Sequence, residues 1–118
     1  MKLRIRGNSL RLRLSQREVT LLAEEGRVED WIAFGPTKLT YVLATSSVDR
    51  IGATYESDRI VVTLPEESAK KWTSTDDVGV EHDDGALRIL VEKDWNCLKP
   101  REGEDDTDAF PHPKAEKP

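Results

Sequence analysis

The chain has 118 residues, of which 36% are apolar and 35% charged, with a formal net charge of −5 and one cysteine. This length suits a single domain, and one cysteine excludes an internal disulfide framework. An N-terminus that alternates apolar and charged residues lacks the apolar core of a signal peptide. Because no stretch approaches the roughly 20 apolar residues of a membrane span, a cytoplasmic protein without a membrane partner is expected.

The first half of the chain predicts a ββαββ unit. Apolar and charged residues alternate at 2–6 and 10–14 around a Gly-Asn-Ser turn, which is typical of a β-hairpin. Ser15 followed by Glu18 indicates a helix N-cap with a capping box, and Gly26 is well placed to end that helix. Residues 28–34 and 39–44 are expected to form a second strand pair.

The same order of signals recurs fifty residues later. At this offset Leu12 falls on Val62, Leu22 on Trp72 and Val28 on Val78. A proline, favoured in the first turn of a helix, falls on the predicted N-cap. The alternative is a chance alignment of apolar residues, but one offset also matches turns, caps and the helix stripe. The sequence therefore favours an internal duplication, with repeats at 2–45 and 51–94.

Each unit resembles the AbrB/MazE (SpoVT/AbrB) family of swapped-hairpin DNA-binding domains. The stretch Arg6–Leu14 looks like the first hairpin of MazE-type antitoxins, where a Gly-Asn-Ser turn leads into an alternating strand. Residues 59–91 are similar to the AbrB pattern of strand, proline, short helix, acidic turn, strand, Asp-Gly turn and strand. The resemblance implies an α+β, mostly antiparallel β fold over residues 1–95. In it, both repeats form one pseudo-two-fold barrel within a single chain.

The family resemblance implies DNA recognition by basic side chains on the first hairpins. In the first repeat these are Arg4, Arg6, Arg11 and Arg13. The matching residues of the second repeat are Thr54, Glu56, Val61 and Thr63. Because the second repeat lacks the arginines of the first and the net charge is negative, DNA binding is disfavoured. The alternative for the arginines is the ordinary solvated face of an antiparallel strand.

Residues 96–118 predict an extended, acidic, proline-rich tail, because their composition cannot offset the entropy of ordering. In composition it resembles the tail with which MazE-type antitoxins wrap a toxin. The candidate partner-binding residues are Glu104, Asp105, Asp106, Asp108 and Phe110. Alternatively, the tail root and Phe110 pack against the domain.

A metal site in the tail is a third possibility. Cys97 and His112, with nearby carboxylates, could gather an ion, but their fifteen-residue separation matches no closed zinc spacing. His82 is expected to be an exposed residue at a hairpin end rather than a catalytic base. No glycine-rich phosphate loop is present. The sequence therefore predicts no enzymatic activity and no cofactor.

Three functions remain open. The first is a non-enzymatic interaction module that binds a protein partner through the acidic second repeat and tail. The second is a nucleic-acid-binding regulator or antitoxin that uses the basic first hairpin, and the third is metal binding by the tail. A self-sufficient pseudo-dimer or weak oligomer is expected.

Overall fold

A computed structural model describes residues 1–83 and 85–94 of the chain, and these ranges contain eight strands and two helices. In chain order the elements are β1 (Lys2–Arg6), β2 (Ser9–Leu14), α1 (Gln16–Glu25), β3 (Arg27–Phe34), β4 (Thr37–Ser46), β5 (Gly52–Glu56), β6 (Arg59–Pro65), α2 (Glu66–Ser74), β7 (Gly79–Asp83) and β8 (Arg88–Lys93). The order ββαββ therefore occurs twice, and the fold is α+β with mostly strands. The predicted tail at 96–118 lies outside the described residues.

The strands form two four-stranded sheets. Sheet A has the order β1-β2-β8-β7, and sheet B has the order β3-β4-β6-β5. Pairing within each hairpin is antiparallel, whereas β2–β8 and β4–β6 are parallel, so both sheets are mixed. Each sheet combines the first hairpin of one ββαββ run with the second hairpin of the other. Among the described strands both sheets remain open, and the predicted closed barrel does not form.

One apolar core joins the two open sheets. It is built from inward residues of both sheets and from one face of each helix: Leu10, Leu12, Leu14, Leu22, Val28, Leu43, Ile51, Val62, Leu64, Ala69, Trp72, Ile89 and Val91. Because the inner faces bury each other's side chains, the core needs no hydrogen-bonded closure of the sheets. Neither described helix is long and apolar enough to cross a membrane.

Helix α1 begins and ends as its sequence predicts. The Ser15 hydroxyl accepts from the Glu18 amide, and the Glu18 carboxylate accepts from the Ser15 amide, which completes the capping box. Gly26 ends the helix in the left-handed region, with φ of 76°, and its amide donates to the Leu22 carbonyl at 2.8 Å. A glycine suits this position because other residues rarely adopt positive φ.

The connection from α2 to β7 breaks the fifty-residue offset. Val80 pairs with Val91 as Val28 pairs with Leu43, so Val80 and not Val78 is the counterpart of Val28. The prediction for Val78 was wrong, and 54% of its surface is exposed. Its carbonyl instead accepts from the indole of Trp72 at 3.2 Å. The physical reason is a longer connection, since α2 ends at Ser74 and β7 begins at Gly79.

The first residue of the chain is tied into the fold. The Met1 ammonium pairs with the carboxylates of Glu18 and, at 3.1 Å, Asp30. The Tyr41 hydroxyl donates to the Met1 carbonyl at 3.0 Å. Burial lowers the pKa of the Met1 ammonium, but hydrogen bonds and charge from both carboxylates outweigh it and raise that pKa. These contacts hold the start of β1, and therefore the edge of sheet A, against α1 and β3.

Candidate nucleic-acid interface

Strand alternation places the predicted arginines on one surface. In the β1–β2 register Lys2 lies opposite Arg13, and Arg4 lies opposite Arg11, while the leucines between them face the core. The outer side of sheet A therefore carries all four arginines singled out from the sequence. We call this surface the basic face. Its cationic residues are Lys2, Arg4, Arg6, Arg11, Arg13 and Arg88.

Three carboxylates share the basic face and pair with part of its charge. The Arg13 Nε donates to the Glu92 carboxylate at 2.9 Å, and the Arg11 Nε lies 3.5 Å from the same oxygen. Arg88 donates from Nε and Nη2 to Glu81, at 3.0 and 2.8 Å. Asp83, the third carboxylate, lies opposite Arg88 in the β7–β8 register. Asp94, at the end of the face, pairs with Lys2 at 2.9 Å, so six cations of this face stand against four carboxylates when Asp94 is counted.

Arg4 and Arg6 make no ion pair or side-chain hydrogen bond with any residue in the described ranges, and both are exposed. Together with Arg11 and Arg88 they line a surface groove of about 340 Å³. Like charges directly opposite each other on neighbouring strands destabilise a sheet. Carboxylates offset this repulsion at Lys2, Arg11 and Arg13, whereas Arg4 has no counter-ion among the described residues.

The outer side of sheet B has a different character. Thr54, Val61 and Glu56 hold the places that arginines hold on sheet A, and Arg59 lies opposite Glu56. Of its other charged residues, Arg27 donates to Glu29 at 2.8 Å, and this hydrogen bond lowers the pKa of the Glu29 carboxyl. The Lys38 ammonium lies 4.6 Å from the centre of the Trp31 ring. Among the described residues, the outer side of sheet B has one arginine without an ion pair or hydrogen bond, Arg59, whereas that of sheet A has two, Arg4 and Arg6.

Arg88 and Glu92 belong to the site, but the sequence analysis did not single them out. Both lie on β8, which pairs in parallel with β2 across about eighty residues of sequence. The alternation of Arg88, Leu90 and Glu92 around buried Ile89 and Val91 marks them as outward residues. That signal was present in the sequence. The identity of their neighbours was not, because pairing between distant strands leaves no local pattern.

An apolar groove adjoins the basic face at the end where the β1–β2 turn lies. It has a volume of about 420 Å³ and lies between the two sheets. Its apolar lining includes Ile5, Leu10, Leu39, Tyr55, Ile60 and Leu87. Ile5 and Tyr55 are 61% and 66% exposed. A concave surface with this lining is suited to an apolar side chain.

The other predicted site residues are not brought together by the described structure. The tail candidates lie outside the described residues: Cys97, Glu104, Asp105, Asp106, Asp108, Phe110 and His112. Within the described ranges, no group of three or more His, Cys, Asp or Glu residues could hold a metal ion. His82 is half-buried on the inner face of sheet A, opposite Ile89, rather than exposed as predicted.

Comparisons with known proteins identify a family for the chain but no function. No curated protein and no solved structure matches the chain significantly. A family model described as a family of unknown function, DUF7009, matches residues 1–114. Because this match spans nearly the whole sequence, the chain belongs to the DUF7009 family.

Proposed function

We propose that the protein binds nucleic acid by contacting phosphate groups with its basic face. The observation that carries this proposal is one groove lined by Arg11, Arg88 and two arginines, Arg4 and Arg6, that have no ion pair with any described residue. Arginine presents several N–H donors in a fixed fork that matches the oxygens of a phosphate. The four side chains therefore offer a local surface for a polyanion within a chain of net charge −5.

The negative net charge sets the expected strength of binding. Phosphate contacts supply most of the non-specific affinity for nucleic acid, and the rest of an acidic chain opposes the approach of a polyanion. Binding should therefore be moderate, steeply dependent on salt, and confined to one side of the molecule. The equivalent surface on sheet B, with Thr54 and Glu56, should not contribute.

The strand order supports a relationship to swapped-hairpin domains. Each sheet pairs the first hairpin of one ββαββ run with the second hairpin of the other. The Leu3–Leu12 pair of β1–β2 recurs as Ala53–Val62 in β5–β6, at a shift of fifty residues. We interpret the chain as an internally duplicated, AbrB/MazE-like pseudo-dimer that has kept one basic face and lost the other.

The proposal is tested by the salt dependence of binding to a mixed-sequence DNA duplex of about 20 base pairs. Each phosphate contact contributes roughly 0.9 to the slope of log K against log salt. The variant Arg4→Ala/Arg6→Ala should therefore lose about 2 from that slope. The matched control, Arg17→Ala/Arg50→Ala, removes the same charge from exposed positions away from the basic face. Equal slopes for the two variants would contradict the proposal.

A protein partner is a second candidate function, and the β3–β4 hairpin favours it. Ile32 and Phe34, which alternate onto the same side of β3, are 49% and 62% exposed, and Trp31 is exposed on the other side of the strand. Clustered exposed apolar side chains are typical of protein interaction sites. We expect a partner captured by the wild-type protein to be lost with Phe34→Ala and kept with Arg4→Ala/Arg6→Ala. If both variants capture the partner as well as the wild type does, the result contradicts this function.

A further inference from the structure

The chain contains an acidic segment whose charge complements the basic face. Residues 102–108 hold five carboxylates and no cation, whereas the basic face holds six cations against four carboxylates, including Asp94 at its end. Opposite charges arranged on two surfaces favour their association and fix its register. The segment is therefore a candidate occupant of the same surface that we propose for nucleic acid.

The point at which the chain leaves the described domain places this segment within reach. Strand β8 belongs to sheet A, and the residue after it, Asp94, lies at one end of the basic face. There its amide donates to the Leu14 carbonyl at 2.8 Å, and its carboxylate pairs with Lys2 at 2.9 Å. From Asp94 to Arg88 the face extends about 20 Å at the rise of a strand. Seven residues lie between Asp94 and Glu102, and the eight Cα–Cα steps that join these two residues span up to about 28 Å when extended.

The far end of the face offers a place for one apolar side chain. The apolar groove lies at the β1–β2 turn, opposite the end at which Asp94 leaves the domain. Phe110 follows the acidic segment by two residues and is the first large apolar residue after Leu98. The order of features along the chain, acidic and then aromatic, thus matches the order of surfaces along sheet A, basic and then apolar.

We infer that residues 102–110 bind across the basic face of their own chain, with Phe110 in the apolar groove, and compete there with nucleic acid. This inference rests on the proposed function only for the competition; the docking itself does not require it. A tethered segment acts at an effective concentration on the order of millimolar, so individually weak contacts suffice to occupy the face. A polyanion must then bind the basic face tightly enough to displace the acidic segment.

The docking is tested in the full chain by backbone amide chemical shifts. The variant Glu104→Gln/Asp105→Asn/Asp106→Asn/Asp108→Asn should shift amides of β1, β2 and β8, and Phe110→Ala should shift those of Ile5 and Leu10. The control Glu24→Gln/Glu25→Gln/Asp49→Asn/Asp77→Asn makes the same change in net charge at exposed sites away from the face. Unchanged amides on sheet A would overturn the inference. So would shifts that grow with protein concentration, since these indicate contact between copies.

Affinity for the DNA duplex separates this inference from the proposed function. The tail variant should bind roughly three- to tenfold more tightly than its charge-matched control, because a weak intramolecular competitor has been removed. Equal affinities together with unchanged amides would overturn the inference and leave the proposed function intact. Tail-dependent shifts in a protein that binds no duplex would support the docking and refute nucleic-acid binding.

Discussion

Leu12 and Val91 lie opposite each other in the parallel pairing of β2 with β8, and their exposed fractions are 1% and 0%. Val62 and Leu43 hold the equivalent places in the pairing of β6 with β4, and both are fully buried. Each pair joins the first hairpin of one ββαββ run to the second hairpin of the other. Neither run therefore completes a sheet without the other, and the domain should unfold as one cooperative unit.

Truncation of Leu12 tests this central pairing. Leu12→Ala should lower the free energy of unfolding by about 2–5 kcal/mol, because it removes buried methyl groups and leaves a cavity. Urea denaturation measures the change. Leu21→Ala is the control, since 40% of Leu21 is exposed on the outer side of α1, and its cost should stay within about 0.5 kcal/mol. Similar losses for both variants would contradict the core position of Leu12.

Gly79 tests the close approach of β7 to β8. A Cβ at this position would lie 2.7 Å from the Val91 carbonyl oxygen and 3.0 Å from the Glu92 Cβ. Because the carbonyl is backbone and cannot rotate away, Gly79→Ala should destabilise the protein by about 1–3 kcal/mol.

Gly52 at the start of β5 gives a control for this substitution. A Cβ at Gly52 would meet nothing within 4 Å, so Gly52→Ala should be neutral or slightly stabilising. Thermal melts of the two variants check the prediction. Equal melting temperatures would show that β7 adjusts freely against β8.

We expect the protein to lose stability at alkaline pH, where the Met1 ammonium loses its proton. Its folded pKa is raised above the ordinary value of about 8, so its contribution is complete below that value and is lost as pH rises through the folded pKa. Burial, with the nearby Asp30 and Glu18 charges, also raises the Tyr41 pKa, which adds a further loss above about pH 10.

Urea midpoints measured from pH 7 to pH 10 should therefore fall above about pH 8. Asp30→Asn removes one of the two carboxylates that hold the ammonium, and it should flatten this decline. Glu29→Gln, a change of the neighbouring carboxylate that does not contact Met1, should leave the slope unaltered. A decline that Asp30→Asn does not change would assign the alkaline loss to other groups.

Local signals in the sequence were sufficient for most of the elements. The capping box at Ser15, the left-handed Gly26 and the alternation in β1 and β2 depend on neighbours within a few residues, and each was predicted correctly. Alternation also predicted that Arg11 and Arg13 face outward, and both lie on the outer side of sheet A. Residue patterns of period two and hairpin turns report such short-range geometry directly.

Features that depend on distant strands were predicted less well. The two-residue extension before Gly79 shifts Val78 out of the core, and the acidic turn signal at residues 76–77 does not reveal how long the connection is. Closure into one barrel was inferred from the resemblance. The sheets instead end at β1, β7, β3 and β5 within the described chain. Edge pairing is decided by the whole packed core, which no local pattern encodes.

Glu92 offers the most direct perturbation of the basic face, because one carboxylate lies within reach of both Arg11 and Arg13. Glu92→Gln should release both arginines for phosphate and steepen the salt slope for the DNA duplex by about 1–2. The same change leaves like charges opposed without a counter-ion, so the free energy of unfolding should fall by about 1 kcal/mol at low salt.

The control is Glu29→Gln, because Glu29 pairs with Arg27 on the outer side of sheet B. It makes the same change in charge and should not alter the salt slope, and because both members of this pair are exposed its cost in stability should be small. If Glu92→Gln alone raises the affinity for the duplex and lowers the free energy of unfolding, the Glu92 carboxylate stabilises the sheet while it limits access to the arginines. If Glu92→Gln binds the duplex no more tightly than Glu29→Gln, the arginines of the basic face do not contact phosphate, because freeing two of them added nothing.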